Sequence, residues 1–219
     1  MTATTPKAEE TRERIIDAAL RLFRDKGFDV TTMRDVAAEA GLATGAAYYY
    51  FRSKEELVMA LYARTSDEAR ETVPAAIARS RDLKKRLRAV IDVKFEQFAE
   101  HRRLFAALVR IGMDPTHPLS PFAKETAPMR LESIGYFREA LEGTKVPKDL
   151  AEFLPGLFWF YQLGLILFWV YDESPEQRKT KRLTDATLDI AVRLIRLSSL
   201  PLMSPLRKRV IALLNDVLE

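Results

Sequence analysis

The chain has 219 residues and no cysteine, which excludes disulfides and thiolate metal sites and fits a reducing compartment. Hydrophobic residues at 47% and charged residues at 30% describe a globular protein with a sizeable core, not a disordered or fibrous chain. The formal net charge of +4 is compatible with a nucleic-acid partner but does not require one. Acids and bases are about equal over residues 1–56, so any basic field for DNA must be local, from Lys7, Arg12, Arg34, Arg52 and Lys54.

The opening segment, MTATTPKAEETRER, is polar and charged with no apolar run, so no secretory signal is read and a cytoplasmic location is expected. Residues 1–8 read as a frayed arm. Residues 9–26 read as a helix, with Ile15, Ile16, Ala19, Leu20, Leu22 and Phe23 on its buried side. Gly27 ends it, and Phe28 and Val30 are expected to pack the loop that follows.

Residues 31–54, TTMRDVAAEAGLATGAAYYYFRSK, organise the rest. They read as two short helices joined by a tight turn. Thr32 is an N-cap for the first, with Asp35 favourable in its opening turn. Gly41 stands where the chain leaves that helix, a place for positive φ. Val36, Leu42, Ala47 and Phe51 supply the apolar spacing, and Ala37 is small where the helices cross. This is the helix-turn-helix pattern. Thr44, Gly45 and Ala46 let the second helix approach base edges. Successive helical positions turn by about 100°, so Tyr48, Tyr49 and Tyr50 cannot all be core. At least one faces out, toward a phosphate or a thymine methyl. Lys54 opens the next helix, where Ser53 and Glu56 form a capping box.

The run 41–51 followed by Ser53-Lys54-Glu55-Glu56-Leu57 resembles the TetR (tetracycline-repressor-like) family. Residues 11–19, Phe23 and Gly27-Phe28 resemble that family's opening helix. The resemblance covers roughly the first quarter of the chain. It departs from the pattern at Tyr50, where histidine is usual, and at Ala47, where leucine is common. It implies Thr32, Arg34, Thr44, Gly45, Ala46, Tyr48, Tyr49, Tyr50 and Lys54 as DNA-binding residues. It also implies a homodimer, a palindromic double-stranded operator and a small-molecule effector.

The helix opening at Ser53 continues into the 70s, with Pro74 as an end or kink. From residue 82, Leu83, Leu87, Val90, Ile91, Val93, Phe95 and Phe98 mark a long amphipathic helix. The basic cluster Lys84, Lys85, Arg86 and Arg88 at its start reads as a solvated face before a second nucleic-acid patch. A helix is expected over residues 104–113, then a loop at 114–118, then a helix from Ser120-Pro121 to about Gly143. Ser174-Pro175, with Gln177 completing a capping box, and Ser204-Pro205 open two more. The later one carries Leu206, Val210, Leu213, Leu214 and Val217. No strand alternation, repeat or low-complexity linker is present.

Residues 153–171, FLPGLFWFYQLGLILFWVY, are uncharged and apolar almost all round. They could just span a bilayer, but acids bound both ends and Pro155, Gly156, Gln162 and Gly164 interrupt them. A buried helix is the better reading, and no membrane partner is expected. Such a helix needs a second subunit on one side. The dimer interface candidates are Leu157, Tyr161, Gly164, Leu165 and Phe168 here, with Thr187, Ile190 and Leu194 on the helix that follows. Two-fold symmetry would set the recognition helices roughly 34 Å apart, one DNA turn. Candidates for an apolar or aromatic effector pocket are Phe95, Phe98, Phe105, Tyr136, Phe137, Phe158 and Trp159, with Gln162 as polar contact.

No nucleophile elbow, HExxH or phosphate-binding glycine loop occurs, and His101 and His117 read as surface residues, so no enzyme, metal or cofactor is expected. The expected fold is all-α. Residues 1–54 form an N-terminal three-helix helix-turn-helix DNA-binding domain, and residues 55–219 a helical ligand-binding and dimerisation domain. The reading is a dimeric transcriptional regulator, a repressor released by its effector. Alternatives are a constitutive DNA binder of the same fold and a helical enzyme.

Overall fold

Helical spacing of apolar side chains, punctuated by caps and glycines, accounts for the elements observed. A computed structural model describes residues 6–218, and these form helices, turns and loops without a strand. The order is α1 (Pro6–Asp25), α2 (Met33–Glu39), α3 (Thr44–Tyr50), α4 (Lys54–Ala78), α5 (Leu83–Phe98), a 3-10 turn (Ala99–His101) and α6 (Arg102–Gly112). There follow α7 (Ala127–Leu141), α8 (Lys148–Ala151), α9 (Leu154–Tyr171), α10 (Arg178–Ser198) and α11 (Ser204–Leu218). The all-α expectation holds. Of the expected arm at 1–8, residues 1–5 lie outside the described residues and Pro6, Lys7 and Ala8 already belong to α1.

The chain alternates between two compact units: Met1–Glu68 with Gln97–Arg130, and Ala69–Glu96 with Leu131–Glu219. Helices α4, α5 and α7 each contribute residues to both. A division at 54/55 therefore concerns where functions lie along the chain, not how it packs.

In the first unit, Ile15, Ile16 and Phe23 of α1 are fully buried with Leu57 and Leu61 of α4 and Leu104 of α6. Phe28 packs its ring 5.2 Å from Phe23, whereas Val30, expected beside it, is 67% exposed. The helix expected from Ser120-Pro121 begins seven residues later, at Ala127. Turn geometry captures the Ser120 carbonyl first: it accepts from the Ala123 N–H and from the Thr126 hydroxyl at 2.6 Å. Pro128 then sits in the first turn of α7, where its missing N–H costs nothing.

In the second unit, Phe137, Leu87, Ile91 and Leu188 are fully buried, and Phe137 stacks on Phe158 at 5.9 Å. Three of the four cations of the basic cluster on α5 are engaged inside this unit, while Lys85 is exposed. Lys84 pairs with Asp185 at 3.0 Å, Arg86 donates to the carbonyls of Glu139 and Glu142, and Arg88 pairs with Asp92. Helix α4 runs on through Pro74 to Ala78. The buried face of Ala69, Val73 and Ile77 spans the proline, and its packing offsets an interior cost of about 3 kcal/mol. Helix α9 is long and apolar enough to cross a membrane, yet Phe158, Trp159, Gln162, Leu165 and Trp169 are buried within the unit.

The α9–α10 connection is capped differently from the expected Ser174–Gln177 box. Gln177 is left-handed, with φ of 50°, and Ser174 makes no capping bond to it. Instead the Ser174 hydroxyl accepts the Lys179 N–H at 3.0 Å, and Asp172, 3% exposed, takes the next donor. Its carboxylate accepts the N–H and hydroxyl of Ser174 and the N–H and hydroxyl of Thr180, at 2.6–2.9 Å. Burial alone would raise this carboxyl; the donors from Ser174 and Thr180 outweigh it and hold the pKa far below the ordinary 3.8. The stabilisation is thus present above pH 3.8 and lost as the pH falls through the lower folded value. Asp172→Asn should lower Tm at neutral pH by roughly 3–10 °C in calorimetry, and the gap to the parent should close on acidification below 3.8.

Candidate nucleic-acid interface

The helix-turn-helix is built from two seven-residue helices whose contact is made by small side chains. Val36 and Ala37 of α2 and Ala47 of α3 are fully buried, and Phe51 is nearly so. At Gly41, φ is +66°, and the chain closes α2 with Gly41 N–H donating to Ala38 and Leu42 N–H donating to Ala37. Thr32 caps α2 reciprocally. Its hydroxyl accepts the Asp35 N–H at 3.1 Å, and Asp35 accepts the Thr32 N–H at 2.9 Å and hydroxyl at 2.7 Å. These bonds from Thr32 hold the Asp35 carboxyl below its usual range. Arg21 ties α1 to α2 through Glu39 at 3.1 Å, and Arg64 ties α4 to α1 through Asp17 at 2.9 Å.

Burying Ala47 turns its neighbours outward. Tyr49 is 84% exposed and Tyr48 49% exposed, while Tyr50 is half-buried and meets the Tyr49 ring edge-on at 5.3 Å. Thr44 and Gly45 are exposed and Ala46 is half-exposed at the start of α3. Thr32 and Arg34 are exposed on α2. The predicted set thus falls on adjoining elements, α2 to the start of α4, within one unit. Lys54 differs from the expectation of a free cation. Its ammonium donates to the Phe28 carbonyl at 2.7 Å and the Asp29 carbonyl at 3.3 Å, and lies 4.5 Å from the centre of the Phe28 ring. The capping at Ser53 is also shifted. Ser53 accepts the Glu56 N–H at 3.4 Å, but Glu56 reaches back to the Arg52 N–H, one residue earlier than a reciprocal box.

The profile of "Bacterial regulatory proteins, tetR family" matches residues 15–61, and that of "Tetracyclin repressor-like, C-terminal domain" matches residues 86–210. The chain belongs to the TetR family. That family is one of bacterial regulatory proteins, and the relatives this chain matches are named as HTH-type transcriptional regulators. The chain is 33% identical over 109 residues to the uncharacterized HTH-type transcriptional regulator YerO of Bacillus subtilis, covering 48% of this chain and 37% of that one. It is 48% identical over 58 residues to the HTH-type transcriptional regulator TtgR of Pseudomonas putida, 26% of this chain and 28% of that one. The aligned stretches therefore span well under two thirds of these relatives. Among solved structures, a tetR-family regulator from Streptomyces coelicolor matches at a TM-score of 0.63 and 25% identity, covering 93% of this chain and 89% of that one. FadR from Bacillus subtilis, solved in complex with stearoyl-CoA, matches at a TM-score of 0.63 and 20% identity, covering 81% and 96%.

Of the pocket candidates, Phe98 and Phe105 stack at 3.8 Å in the first unit of this TetR-family chain. Phe95, Tyr136, Phe137, Phe158, Trp159 and Gln162 belong to the second. Phe95 packs on Trp169 at 5.7 Å, and burial, with Glu132 adding to it, raises the half-buried Tyr136 hydroxyl to about 12. Of the dimer candidates, Leu157, Gly164, Phe168, Ile190 and Leu194 are exposed. Tyr161 and Thr187 are half-buried and hydrogen-bonded to each other at 2.5 Å. Leu165, at 3% exposed, packs into its own protomer because its position on α9 faces the same core as Phe158 and Trp169. Gln97 went unnoticed in the sequence. Its amide donates to the Thr65 carbonyl at 2.9 Å, while its Oε1 is buried without a hydrogen-bond partner. No motif marks such a residue; only burial does.

Thr32→Ala removes the hydroxyl half of the α2 cap and leaves the backbone N–H of residue 32 donating to Asp35. Tm should fall by roughly 2–4 °C, and amide exchange in α2 should accelerate without a change in helix content.

Proposed function

We propose that this protein is a homodimeric, cytoplasmic repressor that reads a palindromic operator through α3. The carrying observation is the exposure of Tyr49 and Tyr48 next to a fully buried Ala47. Thr44, Gly45, Ala46, Tyr48 and Tyr49 enter the major groove, while Thr32, Arg34, Tyr50 and Lys54 meet phosphates. Lys54 has the protons to serve both its carbonyls and a phosphate.

The exposed apolar residues of α9 and α10, Leu157, Phe168, Ile190 and Leu194, support pairing with a second copy. Effector control is supported by the buried, unused acceptor of Gln97 close in sequence to the stacked Phe98. An apolar or aromatic ligand carrying one hydrogen-bond donor suits these residues better than it suits Gln162 alone. The ligand acts by preferring a conformation with the wrong half-site spacing, and a coupling of about 1–3 kcal/mol suffices to lower occupancy several-fold. Helix α4, which contributes to both units, is the proposed lever. A constitutive regulator with no effector is the second reading. A compound screen against the bound complex separates the two, since release by any compound excludes it.

Duplexes selected from a random pool test the DNA assignment. Tyr49→Ala should abolish preference among them. Arg34→Ala should weaken all duplexes alike and reduce the salt slope by about 1. Equal loss from both, with preference intact, would overturn the assigned roles. Leu194→Glu should convert the dimer to a monomer in sedimentation and remove the preference for two half-sites over one.

A further inference from the structure

The turn joining α1 to α2 is held in an unusual way. Six consecutive backbone carbonyls, from Arg24 to Asp29, each accept a hydrogen bond from a side chain. Arg103 donates to Arg24, Asp25 and Lys26, the last at 3.0 Å. The Thr31 hydroxyl donates to Gly27 at 2.7 Å, and Lys54 donates to Phe28 and Asp29. Arg110 adds an ion pair to the Asp29 carboxylate at 2.7 Å. Carbonyls at a helix C-terminus lack intrahelical partners and carry partial negative charge, so cations are favoured there. A guanidinium holds its donors in a rigid planar fork, so less freedom is lost per bond than for the point charge of an ammonium on its flexible stem.

Arg103 and Arg110 lie on α6, far along the chain and within the segment matched by the C-terminal family profile. Yet α6 belongs to the same compact unit as the helix-turn-helix. The clasped turn runs straight into Thr31 and the α2 cap at Thr32. Gly27 is part of the arrangement: at φ of +102°, a Cβ there would stand 3.5–3.7 Å from the Arg103 guanidinium.

We propose that Arg103 is a positioning residue for operator binding. It touches no DNA. It fixes the path of residues 24–29 and with it the angle at which α2 and α3 leave α1. This rests on the reading of α3 as the DNA-contacting helix.

The test uses the full-length protein, the duplex that the wild type selects from a random pool, and a scrambled duplex of equal composition. Arg103→Gln should weaken the selected duplex at least about fivefold, leave the scrambled duplex within about twofold, and leave the salt slope unchanged. Arg103→Lys, which keeps the charge but not the fork, should recover part of the loss. A slope reduced by about 1 would make Arg103 a phosphate contact and overturn the proposal. Parallel loss on both duplexes would mean fewer folded molecules and would equally overturn it, as would no loss at all. Amide exchange of the free variant reads the clasp without DNA, and residues 27–35 should exchange faster in Arg103→Gln. Unchanged exchange sinks the clasp whatever the duplexes do, whereas a wild type that selects no duplex sinks only the DNA-binding reading it rests on.

Discussion

The contact between α2 and α3 governs which side chains the helix-turn-helix turns to solvent. Two alanines, Ala37 and Ala47, are fully buried at that crossing. Larger side chains would hold the helices apart, and close packing leaves no slack to absorb the difference. Because a helix advances about 100° per residue, burying Ala47 decides where the next positions point. Tyr48 and Tyr49 face solvent as a consequence.

The same unit shows how a small domain compensates for limited apolar area. Two of its first three helices, α2 and α3, have seven residues each, and helices so short are marginal alone. Charged side chains from elsewhere in the chain supply what is missing. Arg64 reaches α1, and Arg103, Arg110 and Lys54 converge on the turn after it. Hydrogen bonds from cations to backbone carbonyls are stronger than neutral ones, and the helix terminus offers carbonyls with no other use. The second unit applies a similar device with the sign reversed: a buried carboxylate, Asp172, gathers four donors where α9 hands over to α10.

Much of this was legible in the residues alone. The spacing of Ile15, Ile16, Ala19 and Phe23 declared α1, and the Thr32, Gly41 and Ala47 pattern declared the helix-turn-helix, whereas the basic cluster on α5, read as a solvated face, has three of its four cations paired within their unit. Misreadings arose where a local signal met a competing partner. Ser120-Pro121 has the form of a helix start, but the Ser120 carbonyl is taken by a turn. Ser174 and Gln177 have the form of a capping box, but Gln177 is left-handed, and the first N–H groups of α10 go to Ser174 and Asp172 instead. Leu165 has the right composition for an interface and the wrong side of its helix.

Sequence by itself therefore determined the all-helical class, most of the helices, and the helix-turn-helix segment. Those rest on periods and caps, which act over a few residues and leave a pattern in the text of the chain. Tertiary structure alone decided which compact unit each helix joins, which aromatics share a neighbourhood, and that Lys54 and Arg103 grip backbone carbonyls. Such pairings join residues 25 to 79 positions apart, and a carbonyl acceptor has no side-chain identity for a sequence to display.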